Sequence, residues 1–199
     1  MNIFATDDNY IFASWDLDDK RMIKMILEST QMLCTAVNEH GGKSPYKSTH
    51  KGHPCTKWVM ESYENFLWLD NYTRALCDRY ERTYGKEHKC KKVLYSIKGF
   101  GNFPRIPRTA FVNCAANTDK GVNYKHITDT HEAYKRYLID RWNNDKFAPK
   151  WYKYSYDHFK NDLVNPNVPK WVGLDKSGKL FYKGDNYEVL YGFAANIIV

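Results

Sequence analysis

A chain of 199 residues accommodates one domain with an ordinary core plus a short appendix, and is too short for three. Lys and Arg number 30 against 23 Asp and Glu, a formal charge of +7, which favours a polyanionic partner through counterion release. Five widely spaced cysteines without a C-x-x-C pair argue against a disulfide scaffold or zinc knuckle, and neither a signal-like start nor a membrane-length apolar run is visible, so free thiols in the cytoplasm are expected.

After an extended start at Ile3 and Phe4, the pattern predicts a helix from Asp16 or Asp18 to the stop at Gly41 and Gly42. Helical spacing puts Met22, Ile26, Leu33, Ala36 and Val37 on an apolar face continuing through Ile23 and Leu27. A narrow polar stripe remains: Arg21, Lys24, Glu28, Gln31 and Thr35. It either lines a cleft or is the last solvated edge of the helix. Residues 41–53 read as a loop, and Pro54 as the first turn of one long second helix ending at Gly85, with Trp58, Phe66, Leu69 and Leu76 inward. A basic, irregular stretch rich in Gly and Pro follows, then a helix from Asp129 to Trp142 with Tyr134, Tyr137 and Leu138 inward. Beyond Asn165, apolar runs split by Asp175, Lys176, Ser177 and Gly178 predict a β-hairpin. The expected architecture is mainly α: a helical DNA-binding and catalytic domain over 1–162, with a small β-hairpin appendix over 163–199 packed on it.

Three constellations carry candidate chemistry. The first is Glu28 with Lys24 and Gln31 one turn away and Arg21 two turns N-terminal; a carboxylate among cations suits stabilisation of developing positive charge or a proton relay, and an ordinary surface Lys–Glu pair has the same spacing. The second is the loop holding Lys47, Thr49, His50, Lys51, Gly52 and His53. His-x-x-His spacing can seat a metal, but the loop offers no clear third ligand, so phosphate or displaced-base contact is expected, with no metal and no cofactor. The third is a pair of basic aromatic segments. From Lys86 to Arg108 there are seven cations, Lys91, Lys92, Arg105 and Arg108 among them, beside Phe100 and Phe103, with Glu87 the sole acid. Near the other end, Trp151, Tyr152, Lys153 and Tyr154 alternate rings with charge. Rings interleaved with lysines suit base stacking beside phosphate contacts.

Two of these places resemble the pyrimidine-dimer DNA glycosylases of the phage endonuclease V type. Met1-Asn2-Ile3, then Leu17-Asp18-Asp19-Lys20-Arg21 and Glu28, look like that family's N-terminal arm, its Leu-x-Asp-Gln-His run and its catalytic glutamate. Trp151-Tyr152-Lys153-Tyr154 is similar to its aromatic C-terminal segment, and Thr49-His50-Lys51-Gly52-His53-Pro54 to a stretch of longer phage and bacterial relatives. The resemblance implies a compact helical fold of that type and duplex DNA as partner. It also implies attack of an N-terminal α-amine on a sugar C1′, with an imine that permits strand cleavage. Carried over, Met1 supplies the amine, Glu28 the carboxylate and Arg21 a phosphate or lesion contact. Two positions depart: the family exposes a threonine amine after methionine removal, which Asn2 is expected to disfavour here, and Arg21 stands where the family has its histidine. These leave three readings: an N-glycosylase with AP-lyase activity on a damaged or modified pyrimidine flipped from the duplex, a DNA-base-modifying transferase on the same scaffold, and a non-catalytic nucleic-acid-binding factor. A monomer in the cytoplasm is expected, the host's if the gene is a phage's, with no membrane partner.

Overall fold

The computed structural model describes residues 1–100, 102–151, 156–157, 162–163 and 168–185. Six helices occupy them: α1 Tyr10–Asp16, α2 Asp19–Glu39, α3 Pro54–Glu61, α4 Tyr63–Tyr84, α5 Lys89–Ser96 and α6 Thr130–Asn144. Three antiparallel strand pairs complete the fold: β1 Ala116–Asn117 with β2 Val122–Asn123, β3 Tyr156–Asp157 with β4 Asp162–Leu163, and β5 Val172–Leu174 with β6 Leu180–Tyr182. The architecture is mainly α with a small β appendix, as the sequence predicts. No helix among the described residues is long and apolar enough to cross a membrane.

Helix α2 is the axis of the core, flanked by α3, α4 and α5. Met22, Ile26, Leu33, Ala36 and Val37 are buried as predicted, whereas Ile23 and Leu27 are 39% and 43% exposed. The outward face of α2 is therefore broader than the polar stripe, and mixes those two apolar residues with Lys20 and Lys24. The N-terminus of α2 is closed by a network that spacing alone could not reveal. Asp18 occupies the N-cap position but does not cap; its carboxylate accepts from Arg21 Nη1 at 2.9 Å and Trp142 Nε1 at 2.8 Å. Arg79, nine-tenths or more buried, donates to the carbonyls of Ser14 and Leu17 at 2.9 and 2.6 Å, which satisfies the C-terminal end of α1, a helix the sequence reading left out.

The predicted single helix from Cys55 to Gly85 is two. Ser62 takes an extended conformation, its Oγ accepts from the Asn65 N–H at 3.0 Å, and the Tyr63 N–H turns to the Pro104 carbonyl at 2.9 Å. A serine that caps the following turn competes with helix continuation. Gly85 ends α4 at a left-handed φ of 64°. The stretch expected to be irregular contains α5 and the β1–β2 pair. Loop 41–53 is clamped to α2 by Thr35, whose Oγ1 donates to the Thr49 carbonyl at 3.2 Å and accepts the Thr49 N–H at 3.1 Å, and by Asn38 Nδ2 to the Tyr46 carbonyl at 2.8 Å. Lys43 pairs with Lys98, and at Gly42 a Cβ would lie 2.5 Å from the Gly99 carbonyl oxygen, so the close approach requires glycine.

Candidate active-site cleft

The N-terminal arm is threaded into the molecule. Asn2, Ile3, Phe4, Ala5 and Thr6 are all buried. Asn2 Oδ1 accepts the N–H groups of Ile3 and Phe4 at 2.8 and 3.2 Å, and Phe4 has a left-handed φ of 42°, a conformation that a non-glycine residue keeps only under surrounding restraint. That restraint comes from α6: the Phe4 ring stacks on Tyr137 and meets Tyr134 edge-on, both at 6.0 Å, and His131 Nδ1 donates to the Ala5 carbonyl at 2.7 Å. A second anchor is Asn2 Nδ2, which donates to the Cys114 carbonyl at 3.2 Å.

These anchors deliver residue 1 to a cleft of about 580 Å³, within the range of small-ligand sites. Met1, Asn2, Phe4, Lys24, Glu28, His53, Cys114, Asn117, Asp119, Lys125, Tyr137 and Arg141 line it. Glu28 stands at the centre of the interaction: its Oε2 accepts the backbone N–H of Asn2 at 3.0 Å, and its Oε1 pairs with Lys24 at 3.3 Å. The Met1 thioether accepts from Thr56 Oγ1 at 4.0 Å, which gives the Met1 side chain a seat on α3. His53 caps α3 by accepting the Cys55 N–H at Nδ1, 3.2 Å, and burial, then the charge of the N-terminus, holds its imidazole below the usual histidine range.

Two thiols meet here. A hydrogen bond from Cys55 pulls Cys114 down to about 7 against the opposing effect of burial, with Lys125 and the N-terminal charge adding to the pull. Cys55 is driven up by the same contact and by burial. Cys114 is half-buried and faces the cleft, whereas Cys55 lies wholly inside.

The sequence candidates divide sharply. Met1, Glu28, Lys24 and His53 converge on the cleft. Arg21 does not line it: 4% exposed, its guanidinium pairs with Asp18 at 2.9 Å and Asp145 at 3.0 Å, so it is an internal counter-ion rather than a group facing a ligand. Gln31 is half-buried, and Lys47 and His50 are exposed on the clamped loop, where His50 Nδ1 bonds the Thr49 hydroxyl at 2.7 Å. Among the described residues no three His, Cys, Asp or Glu side chains are grouped to hold a metal ion. Lys91 is held by Glu81 at 2.7 Å and Asp78 at 3.3 Å, and Lys92 is exposed beside it on α5. Arg105 covers the Tyr63 ring at 3.9 Å, and Arg108 covers Phe111 at 4.7 Å while pairing with Asp8. Trp151, expected as an exposed stacking ring, packs edge-on against Trp142 at 5.0 Å and donates to the Asp16 carbonyl at 3.4 Å. Tyr152, Lys153 and Tyr154 lie outside the described residues. Six further cleft groups carry no local sequence signal: Asn2 comes from the N-terminal arm, Cys114, Asn117 and Lys125 from the segment around β1 and β2, and Tyr137 and Arg141 from α6, and only tertiary packing brings them to Glu28.

Residues 1–92 match the family described as pyrimidine dimer DNA glycosylase. Comparison with curated proteins and with solved structures gave no match. The match takes in the N-terminal arm, α2 with Glu28, the clamped loop and His53, and is a similarity to that family over less than half of the chain.

Proposed function

We propose that this protein is a DNA N-glycosylase with AP-lyase activity on a damaged or modified pyrimidine, working in the cleft around Glu28. The observation that carries the reading is the 3.0 Å bond from the Asn2 N–H to Glu28 Oε2, which holds the backbone one residue from the α-amine against the carboxylate. The amine attacks C1′ of the flipped nucleotide as the C1′–base bond breaks, and the electron pair leaves with the base. Glu28 faces the positive charge that develops on the sugar, where a preoriented carboxylate contributes most. Opening of the sugar ring, with the C1′–O4′ bond breaking and O4′ taking a proton, then gives an imine, which acidifies the neighbouring C2′–H and allows elimination of the 3′-phosphate. Lys24, Lys125 and Arg141 supply cations along the same walls for the phosphates on either side.

Borohydride reduction during reaction with a duplex carrying a single cyclobutane pyrimidine dimer tests this. The expected product is a covalent protein–DNA adduct that peptide mass analysis locates at residue 1. Absence of the adduct on dimer-containing and abasic duplexes alike, or an adduct that persists after the α-amine is acetylated, overturns the mechanism.

A further inference from the structure

His53 enters the cleft with one of its two ring nitrogens already committed. It is the N-cap of α3, and its Nδ1 accepts the Cys55 N–H at 3.2 Å. Its backbone is tied on both sides: the N–H donates to the His50 carbonyl at 3.0 Å, and the carbonyl accepts the Lys57 N–H at 2.9 Å. A neutral imidazole carries one proton, so a ring that accepts at Nδ1 holds it on Nε2. No acceptor among the described residues takes that Nε2–H, and the half-buried ring lines the cleft with Met1 and Glu28. His88 is the internal comparison. It caps α5 in the same way, its Nδ1 accepting the Cys90 N–H at 3.2 Å, but its ring packs edge-on against Tyr80 at 4.9 Å and is not part of the cleft. Capping accounts for both histidines, and serine or asparagine would do it better. Only His53 also brings a ring donor to the place where a base departs.

We propose that His53 is a further catalytic residue, a neutral hydrogen-bond donor whose Nε2–H stabilises the departing pyrimidine at its 2-carbonyl oxygen. This rests on the glycosylase reading above. As the C1′–N1 bond breaks, its electron pair stays with N1 and spreads through C2 onto that oxygen. The hydrogen bond from Nε2–H strengthens as the charge grows, and His53 keeps its proton. The released base takes a proton from water at N1. Proton transfer from His53 itself would need a second ring proton at Nδ1, the position that the Cys55 N–H occupies. Glu28 and His53 divide the charge of the breaking bond, the carboxylate facing the sugar and the imidazole the base. The N1–C2 amide persists when the 5,6 bond of a pyrimidine is saturated or dimerised, so this contact suits damaged pyrimidines as a class.

Two substitutions separate the cap from the donor. His53→Ser keeps a hydroxyl that can accept the Cys55 N–H and leaves nothing at the position of Nε2, whereas His53→Gln can place an amide N–H there and gives up the cap. The full chain is assayed for single-turnover base release from a duplex with one pyrimidine dimer, and for borohydride trapping on a duplex with one abasic site, where no base remains to depart. His53→Ser is expected to slow base release by about tenfold or more, with abasic trapping and the urea midpoint at wild-type levels. His53→Gln is expected to recover most of the base release at a lower urea midpoint, and His88→Ser to match wild type in both reactions. The retained trapping shows that His53→Ser is folded. Base release at the wild-type rate by His53→Ser, or an equal loss in base release and abasic trapping, overturns the inference and leaves the glycosylase reading intact; no base release by wild type overturns both.

Discussion

Arg21 and Glu28 stand seven residues apart on one helix, about 10 Å along its axis, and have opposite fates. Glu28 turns into a polar cleft, while Arg21 is enclosed between Asp18 and Asp145. Buried ion pairs contribute little by existing but cost much when broken from one side. Arg21→Met therefore leaves the buried Asp18 carboxylate without a cation and Asp145 with only the exposed Lys20 at 3.3 Å, and urea unfolding should show a loss of about 3–5 kcal/mol, with DNA affinity of the folded protein unchanged. A large affinity loss at unchanged stability would return Arg21 to the ligand side. Sequence made Arg21 visible as a member of the stripe but not its partner, because Asp145 lies 124 residues away. Cys114 was equally hidden, since nothing local to it marks a thiol whose donor is Cys55. With that donor and Lys125 in place, alkylation of Cys114 by iodoacetamide should reach half its maximal rate near pH 7, and Lys125→Met should move the midpoint upward. A midpoint at an ordinary thiol value near 8.5 would show that the pull is absent.

At the scale of elements, the readable signals were the periodic ones. The apolar spacing of α2 and α6, Pro54 at the start of α3, and Gly85 at the end of α4 each put a strong local preference on one boundary. Local hydrogen bonding was harder to see. His53 and His88 cap α3 and α5 through Nδ1, each accepting the N–H two residues on, and histidine is not among the usual capping residues, so α5 was passed over as irregular. Ser62 was overlooked because it sits between two stretches with continuous helical pattern. Its Oγ holds the first turn of α4, so Ser62→Ala should cost about 1 kcal/mol, seen as a lower urea midpoint at unchanged slope. No change in midpoint would mean that the Tyr63–Pro104 bond alone fixes the break. Ile23 and Leu27 show the limit of periodicity from the other side: the pattern places them at the edge of an apolar face, but whether that edge is covered depends on what packs there.

For the molecule as a whole, the net charge of +7 named a class of partner, and folding distributes it unevenly. Lys91, Arg105 and Arg108 are engaged with acids or rings, whereas Lys24, Lys125 and Arg141 line the cleft. If about four phosphates are contacted there, affinity for duplex DNA should fall roughly a hundredfold between about 50 and 200 mM salt; a flat response would remove the electrostatic part of the account. Stability has its own pH dependence. The imidazoles of His53 and His88 are held below 6.5 chiefly by burial, so below that value the unfolded chain gains protons that the folded one refuses. Stability should be fully present above about pH 6.5 and decline as pH falls through it, before the carboxylates titrate. Thermal melting that is level from pH 7.5 down to about 5 would contradict this.

The central claim, that Glu28 and the α-amine beside it are the reacting groups, meets its most direct test in single-turnover base release from a duplex with one site-specific pyrimidine dimer, comparing wild type with Glu28→Gln. Glu28→Gln can still accept the Asn2 N–H, so the arm should stay in place and DNA binding should persist, while base release should slow by about a hundredfold or more. Release at the wild-type rate by Glu28→Gln would contradict the account.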